Sequence, residues 1–107
     1  MSYEQMCPKY EKAIELLGKK WTGLLIRMLL GGPKRFGEFR QQVPALNDRV
    51  LSERLRELEE QGVVRRIVHD TKPVLIEYEL TDVGRGLEPV VESIQHWAER
   101  WVTSTNP

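Results

Sequence analysis

Apolar residues recur along this chain at two spacings, and the change between them predicts where helices give way to strands. Tyr10, Ala13, Ile14 and Leu17 fall three and four apart, as do Trp21, Leu24, Leu25, Met28 and Leu29. Two amphipathic helices are therefore predicted before Gly31, Gly32 and Pro33 interrupt the pattern. Phe36, Phe39 and Val43 give a short third helix that Pro44 stops. Asn47 is a favourable N-cap, and a fourth helix follows over residues 48–61, with Val50, Leu51, Leu55 and Leu58 as its apolar stripe and Gly62 as its left-handed stop. The period then falls to two. Val63, Val64, Ile67 and Val68 form a β-branched run, Ile76, Tyr78 and Leu80 alternate with Glu77 and Glu79, and Asp70, Thr71, Lys72 and Pro73 make the turn between them. Thr81 caps a last helix predicted to begin near Asp82. It carries Val83, Leu87, Val90, Val91, Ile94, Trp97, Ala98 and Trp101 for about 20 residues, roughly 30 Å, with a kink at Pro89.

Helix, turn, helix and then a two-stranded arm is the order of parts in a winged helix-turn-helix, which lays one helix in a DNA groove and the arm beside it. The expected fold is mainly α with a small β-hairpin wing. Opposite its apolar stripe the fourth helix projects Arg49, Ser52, Glu53 and Arg56. The chain as a whole is neutral, with 16 basic and 16 acidic residues. Residues 33–56 are not, since Lys34, Arg35, Arg40, Arg49, Arg54 and Arg56 face only Glu38, Asp48 and Glu53. Segregated positive charge on a neutral background is the footprint of a phosphate-binding surface, and it requires Glu57, Glu59 and Glu60 to point away from DNA.

Arg49 and Ser52 are the expected base-edge contacts, with Arg56 reaching a base or a phosphate and Asn47 and Glu53 on the same face. Lys34, Arg35, Arg40, Arg65, Arg66 and Lys72 are the expected phosphate contacts, and His69 adds charge to the wing. Arg54 is read as folding back into a structural ion pair. The plainer alternatives are a solvated charged helix face and a hairpin whose charges guard its edge against aggregation.

The apolar stripe of the last helix is longer than a compact core can cover. Hiding one indole of about 200 Å² is worth several kcal/mol at about 25 cal/mol per Å², so a two-fold homodimer is expected through Tyr10, Ile14, Val90, Ile94, Trp97 and Trp101. Two recognition helices about one helical turn apart would then read an inverted repeat in double-stranded DNA.

At 107 residues the chain is expected to form one domain, with a DNA-binding core over about residues 19–80 and dimerisation helices over about 8–18 and 82–103. Nothing in it reads as a membrane span or a secretory leader, so a cytoplasmic location is expected. One cysteine, Cys7, excludes an internal disulfide, and two separated histidines, His69 and His96, give no metal cluster. No nucleophile and base are paired and no phosphate loop is present, so neither an enzyme nor a cofactor is expected.

Cys7 and Pro8, residues 16–21 (Leu-Leu-Gly-Lys-Lys-Trp), Arg35 and Phe36, residues 50–58, Gly62 to Val64, Glu77 to Thr81, Gly84 and Trp97 together resemble the HxlR-type transcriptional regulators. The order and spacing carry the resemblance, which covers nearly the whole chain. It implies a MarR-like winged helix-turn-helix dimer built from its terminal helices, binding palindromic operators near the genes it controls, as a repressor. Asn47 and Asp48 depart from the Ser or Thr cap of many members, which bears on operator preference. Some members also have a lone cysteine before a proline and respond through it to quinones, diamide or aldehydes, which makes Cys7 the expected redox-sensing residue and a quinone or other electrophile the expected inducer. Its placement agrees, because Pro8 suits the first helical position and puts Cys7 at the N-cap, where free N–H groups and the helix dipole attract negative charge.

The competing reading of Cys7 is an inert interface residue. Two other functions stay open: a ligand-gated regulator with Tyr10, Trp21, Trp97 and Trp101 lining a cleft between the terminal helices and the core, and a winged-helix module that holds another protein.

Overall fold

The computed structural model describes residues 3–103. Helices α1 (Pro8–Leu17) and α2 (Thr22–Leu30) lead into strand β1 (Lys34–Arg35). Then come α3 (Phe36–Gln42), α4 (Asp48–Glu60), strands β2 (Val64–His69) and β3 (Leu75–Leu80), α5 (Asp82–Arg85) and α6 (Glu88–Trp101).

The ends of α4 form as their residues require. The Asn47 carboxamide oxygen accepts the Val50 N–H at 2.9 Å, and Gly62 turns the chain with φ 73°, a left-handed value that glycine adopts without strain. Leu51, Leu55 and Leu58 are buried along one side of it and meet Leu25, Ile26 and Leu29 of α2, Phe39 of α3, Leu46, Val63, Val64 and Leu80 in one core. Ile26 lies outside the predicted stripe of α2 yet is fully buried, whereas Trp21, Leu24 and Met28 stay partly exposed. The reason is that α2 is central, packing against α1, α6 and β3 from different sides.

The sheet has the order β1-β3-β2, all antiparallel. In the β2–β3 pair Val64 lies opposite Leu80, Arg66 opposite Tyr78 and Val68 opposite Ile76, and these side chains share the core-facing side. Arg65 with Glu79, Ile67 with Glu77 and His69 with Leu75 take the other side. Strand β1 has no signature in the sequence pattern. Two residues cannot show a period; Lys34 and Arg35 pair with Tyr78 and Glu77 at the sheet edge, directly before α3, which packs against them.

The last predicted helix is two helices. Thr81 does cap the first, accepting the Gly84 N–H at 3.2 Å, but α5 ends after Arg85 at Gly86 and α6 begins at Glu88. Pro89 therefore sits in the first turn of α6, where its missing N–H has no partner to lose, and starts a helix instead of kinking one. A Cβ at Gly84 would collide with the Val63 carbonyl oxygen and the Leu80 side chain, so only glycine lets α5 lie this close to the sheet. Neither α1 nor α6 contains a buried residue. No helix among the described residues is long and apolar enough to cross a membrane.

Candidate nucleic-acid interface

Each turn of α4 that buries a leucine turns a polar side chain outward, and on that outer side an open groove runs between α4 and the sheet. Arg49, Ser52, Glu53, Leu55, Arg56 and Glu59 line it from the helix, Arg66 and Tyr78 from the strands. Arg49 has 88% of its side chain exposed, and its Nε donates to the Glu53 carboxylate one turn on at 3.3 Å. Arg56 and Arg66 make no ion pair among the described residues, so both guanidinium groups keep their donors for a ligand. Tyr78 meets the Phe39 ring edge to face at a centroid distance of 6.5 Å, anchoring the floor of the groove in the core.

Two expectations are corrected here. Glu59 does not point away with its neighbours but lies in the groove with Arg56 and Arg66. At three residues beyond Arg56 on a helix it has to share that face. Arg65 and Arg66 are not equivalent wing cations either. Adjacent strand residues face opposite ways, and Arg65 lies on the far side of the sheet, held by both Nε and Nη2 to Glu79 at 3.1 and 2.6 Å. His69 is on that side too, with Nε2 2.8 Å from Glu77 Oε1.

The remaining candidates do not line the groove. Asn47 is exposed but spends its carboxamide oxygen on the helix cap. Arg40 reaches from α3 to Asp48 at the start of α4, 2.6 Å apart, which fixes the two helices of the motif to each other. Lys34 is half-buried, and its ammonium lies 3.4 Å from the Gly32 carbonyl. Arg35 is exposed, with its backbone N–H bound by Glu38. Lys72 stands exposed in the wing turn.

Arg54 takes the inner role expected of it and more. Its Nε donates to the Lys20 carbonyl at 3.0 Å and its Nη1 to Glu57 at 3.3 Å, while Lys19 Nζ binds the other Glu57 oxygen at 2.9 Å. The Lys19 hydrogen bond, reinforced by the charges of Lys19 and Arg54 against a smaller desolvation, holds the Glu57 carboxyl below its ordinary value of 4.5. A carboxyl depressed by folding stabilises the fold above its unfolded pKa and loses that contribution as pH falls through the folded one. Glu57→Gln is therefore expected to lower stability at pH 7 by at most about 1 kcal/mol, the range for a partly exposed pair. Urea unfolding of both proteins should show the gap narrow below about pH 4; a gap that widened with acid would contradict the pairing.

Cys7 is exposed at the N-cap of α1, its carbonyl accepting the Glu11 N–H at 2.9 Å, with Pro8 in the first turn. Tyr10, Ile14, Val90, Ile94, Trp97 and Trp101 are all exposed, so α1 and α6 each present an apolar face to water. The aromatic cleft expected of a ligand-gated regulator does not form within one chain. Trp21 packs on the core, while Tyr10, Trp97 and Trp101 stand in solvent, too open to enclose a ligand.

Comparison with known proteins agrees with this geometry. The chain is 48% identical to the HTH-type transcriptional regulator YvaP of Bacillus subtilis over 102 residues, 95% of this chain and 94% of that one. It is 45% identical to the HTH-type transcriptional regulator YodB of Bacillus subtilis over 96 residues, 90% of this chain and 86% of YodB. The structure of reduced YodB matches with a TM-score of 0.84 at 42% identity, covering 95% of this chain and all of that one; YodB has also been solved after diamide treatment and with quinone bound. The oxidised form of the redox regulator HypR matches with a TM-score of 0.83 at 40% identity, covering 94% of this chain and all of that one. The fold is thus a winged helix-turn-helix, and the HxlR-like helix-turn-helix pattern matches residues 16–106, which makes this chain a member of that family.

Proposed function

We propose that the chain is a homodimeric, cytoplasmic repressor that reads an inverted-repeat operator beside the genes it controls and leaves it when an electrophile modifies Cys7. A single domain performs this, its residues 19–80 reading DNA and its terminal helices, residues 8–18 and 82–103, pairing two copies. The observation that carries the reading is the groove in which Arg49, Ser52 and Arg56 of α4 converge with Arg66 of β2. Two of those guanidinium groups, on Arg56 and Arg66, have no ion-pair partner among the described residues, and a planar fork is the group suited to a guanine edge or a phosphate.

The roles divide by position. Arg49 and Ser52, in the first turns of α4, are placed for base edges; Asn47 and Glu53 flank them. Arg56 and Arg66 of the groove grip base or phosphate, and Lys34, Arg35, Arg40 and Lys72, outside its lining, take phosphate. Arg65, tied to Glu79 on the far side of the sheet, contributes only by freeing itself from that pair. YodB with quinone bound, and the reduced and oxidised forms of its kind of regulator, support Cys7 as the responsive group.

Titration of fluorescent duplexes separates these roles. Arg49→Ala should lose about 1 to 3 kcal/mol of binding to the operator and relax the preference at one base pair. Lys72→Ala should weaken operator and scrambled duplex alike and flatten the salt dependence by about one counterion. Equal losses from Arg49→Ala on both duplexes would remove it from base reading.

A further inference from the structure

The chain passes from α1 to α2 through residues 18–21, and three observations meet there. Trp21, the N-cap of α2, holds φ 79° and ψ −20°, in the left-handed region that a residue with a Cβ enters only when its surroundings compel it. Thr22, beside it, is 1% exposed and its hydroxyl has no hydrogen-bond partner among the described residues. A local bond closes the turn, the Thr22 N–H donating to the Lys19 carbonyl at 3.2 Å, and the Lys20 carbonyl between them takes its partner from another element.

It comes from α4. Rotation about φ of Trp21 sets the plane of the peptide joining it to Lys20, so the left-handed turn is what aims the Lys20 carbonyl at Arg54. Arg54, with 18% of its side chain exposed, joins that carbonyl to Glu57, and Glu57 holds Lys19. Two successive linker residues are thus gripped by the side of α4 that faces away from the groove, while Arg49, Ser52 and Arg56 occupy the groove side.

We propose that Arg54 is a positioning residue for DNA reading: its guanidinium fixes the rotation and height of α4 against the linker of residues 19–21, so that the placement of α1 sets how Arg49, Ser52 and Arg56 are presented. This rests on the DNA-reading role of α4 proposed above. A rigid fork suits the task, because its donors leave in fixed directions toward the carbonyl and the carboxylate at once. Lysine keeps the charge without that geometry. A displacement of α1 then has a short path to the groove: the Lys20 carbonyl moves, Arg54 follows or lets go, and α4 turns.

The full-length protein, with a duplex that the wild type has selected from a randomised pool and a scrambled duplex of the same composition, tests this. R54Q and R54K should each lose about tenfold in affinity for the selected duplex, the scale of a hydrogen bond to a charged group. Their affinity for the scrambled duplex should stay within about twofold, and its salt dependence should not change, since Arg54 meets no phosphate. E57Q should show the same pattern with a smaller loss, about threefold, and serves if the Arg54 variants fail to fold. Parallel losses on both duplexes would make Arg54 a plain brace or a phosphate contact and overturn the proposal, as would an undiminished preference in the folded variants. If the wild type selects no duplex, the DNA-reading role of α4 fails first and the proposal falls with it; if it selects one and the variants read it equally well, the clamp alone is wrong.

Discussion

Trp97→Glu, one charge on the outer face of α6, is expected to leave the chain folded but monomeric and to weaken operator binding by at least about 100-fold. Val91 is on the side of the helix that packs on the core, whereas Trp97 is 62% exposed, so the substitution removes little that holds the subunit together. What it removes is the covering of an apolar face. Trp97 and Trp101 each leave about 60% of an indole in water, together with Val90 and Ile94 on the same helix and Tyr10 and Ile14 on α1. At about 25 cal/mol per Å², completing the burial of one such indole is worth about 3 kcal/mol before ordering costs, and a carboxylate in its place has to be stripped of water instead. DNA affinity falls with the pairing because the second half-site is then no longer presented at high local concentration. Light scattering reports the mass, circular dichroism the fold, and duplex titration the affinity. A wild-type monomer at micromolar concentration, or a Trp97→Glu protein that still pairs, would break the link between this face and operator reading.

Different physical reasons made parts of the molecule legible in its sequence and hid others. Helix α4 was readable because every signal for it is local: a capping Asn47, leucines at helical spacing and a stop at Gly62 whose φ is positive. The open faces of α1 and α6 were readable for the same reason, as apolar stripes with more surface than a small core can use. The break after Arg85 was not, because the apolar spacing runs on through Gly86 and Leu87. The close approach of Gly84 to the sheet, which leaves no room for a Cβ beside the Val63 carbonyl and Leu80, is likewise created only by the tertiary structure.

The candidate site divides in the same way. Arg49, Ser52, Glu53 and Arg56 share a side by helical period alone, and that period also required Glu59 to be among them. The separation of Arg65 from Arg66 was available too, in the two-residue alternation of a strand, but a reading guided by charge alone merges them. Tyr78 was visible only as a half-buried strand residue, since its place on the groove floor depends on the register with Arg66. Nothing local signals the left-handed Trp21 or the reach of Arg54 to the Lys20 carbonyl, 34 residues away. Long-range contacts of that kind are where sequence patterns end.

Cys7→Ser is expected to abolish the release of DNA by benzoquinone or diamide while leaving operator affinity in the untreated protein unchanged. Cys7 lies outside the groove, exposed at the N-cap of α1, so serine, which also suits an N-cap, disturbs neither the fold nor the reading face. The chemistry needs the sulfur. A thiolate adds to benzoquinone, forming a C–S bond while the ring takes up the proton and becomes the hydroquinone thioether; serine does not do this at neutral pH. Diamide instead takes two electrons and two protons from a pair of thiols and is reduced to the hydrazine as the disulfide forms. Each chain has one cysteine, so that disulfide has to join two chains. Diamide should therefore give a covalent dimer on a non-reducing gel, absent in Cys7→Ser and reversed by dithiothreitol, and benzoquinone a mass increase of one adduct per chain. Either adduct burdens the start of α1, whose far end leads to the linker that Arg54 grips, which places the thiol chemistry one helix from α4. Release by benzoquinone that persists undiminished in Cys7→Ser would take the sensing role away from this thiol and leave the DNA-reading face to be controlled from elsewhere.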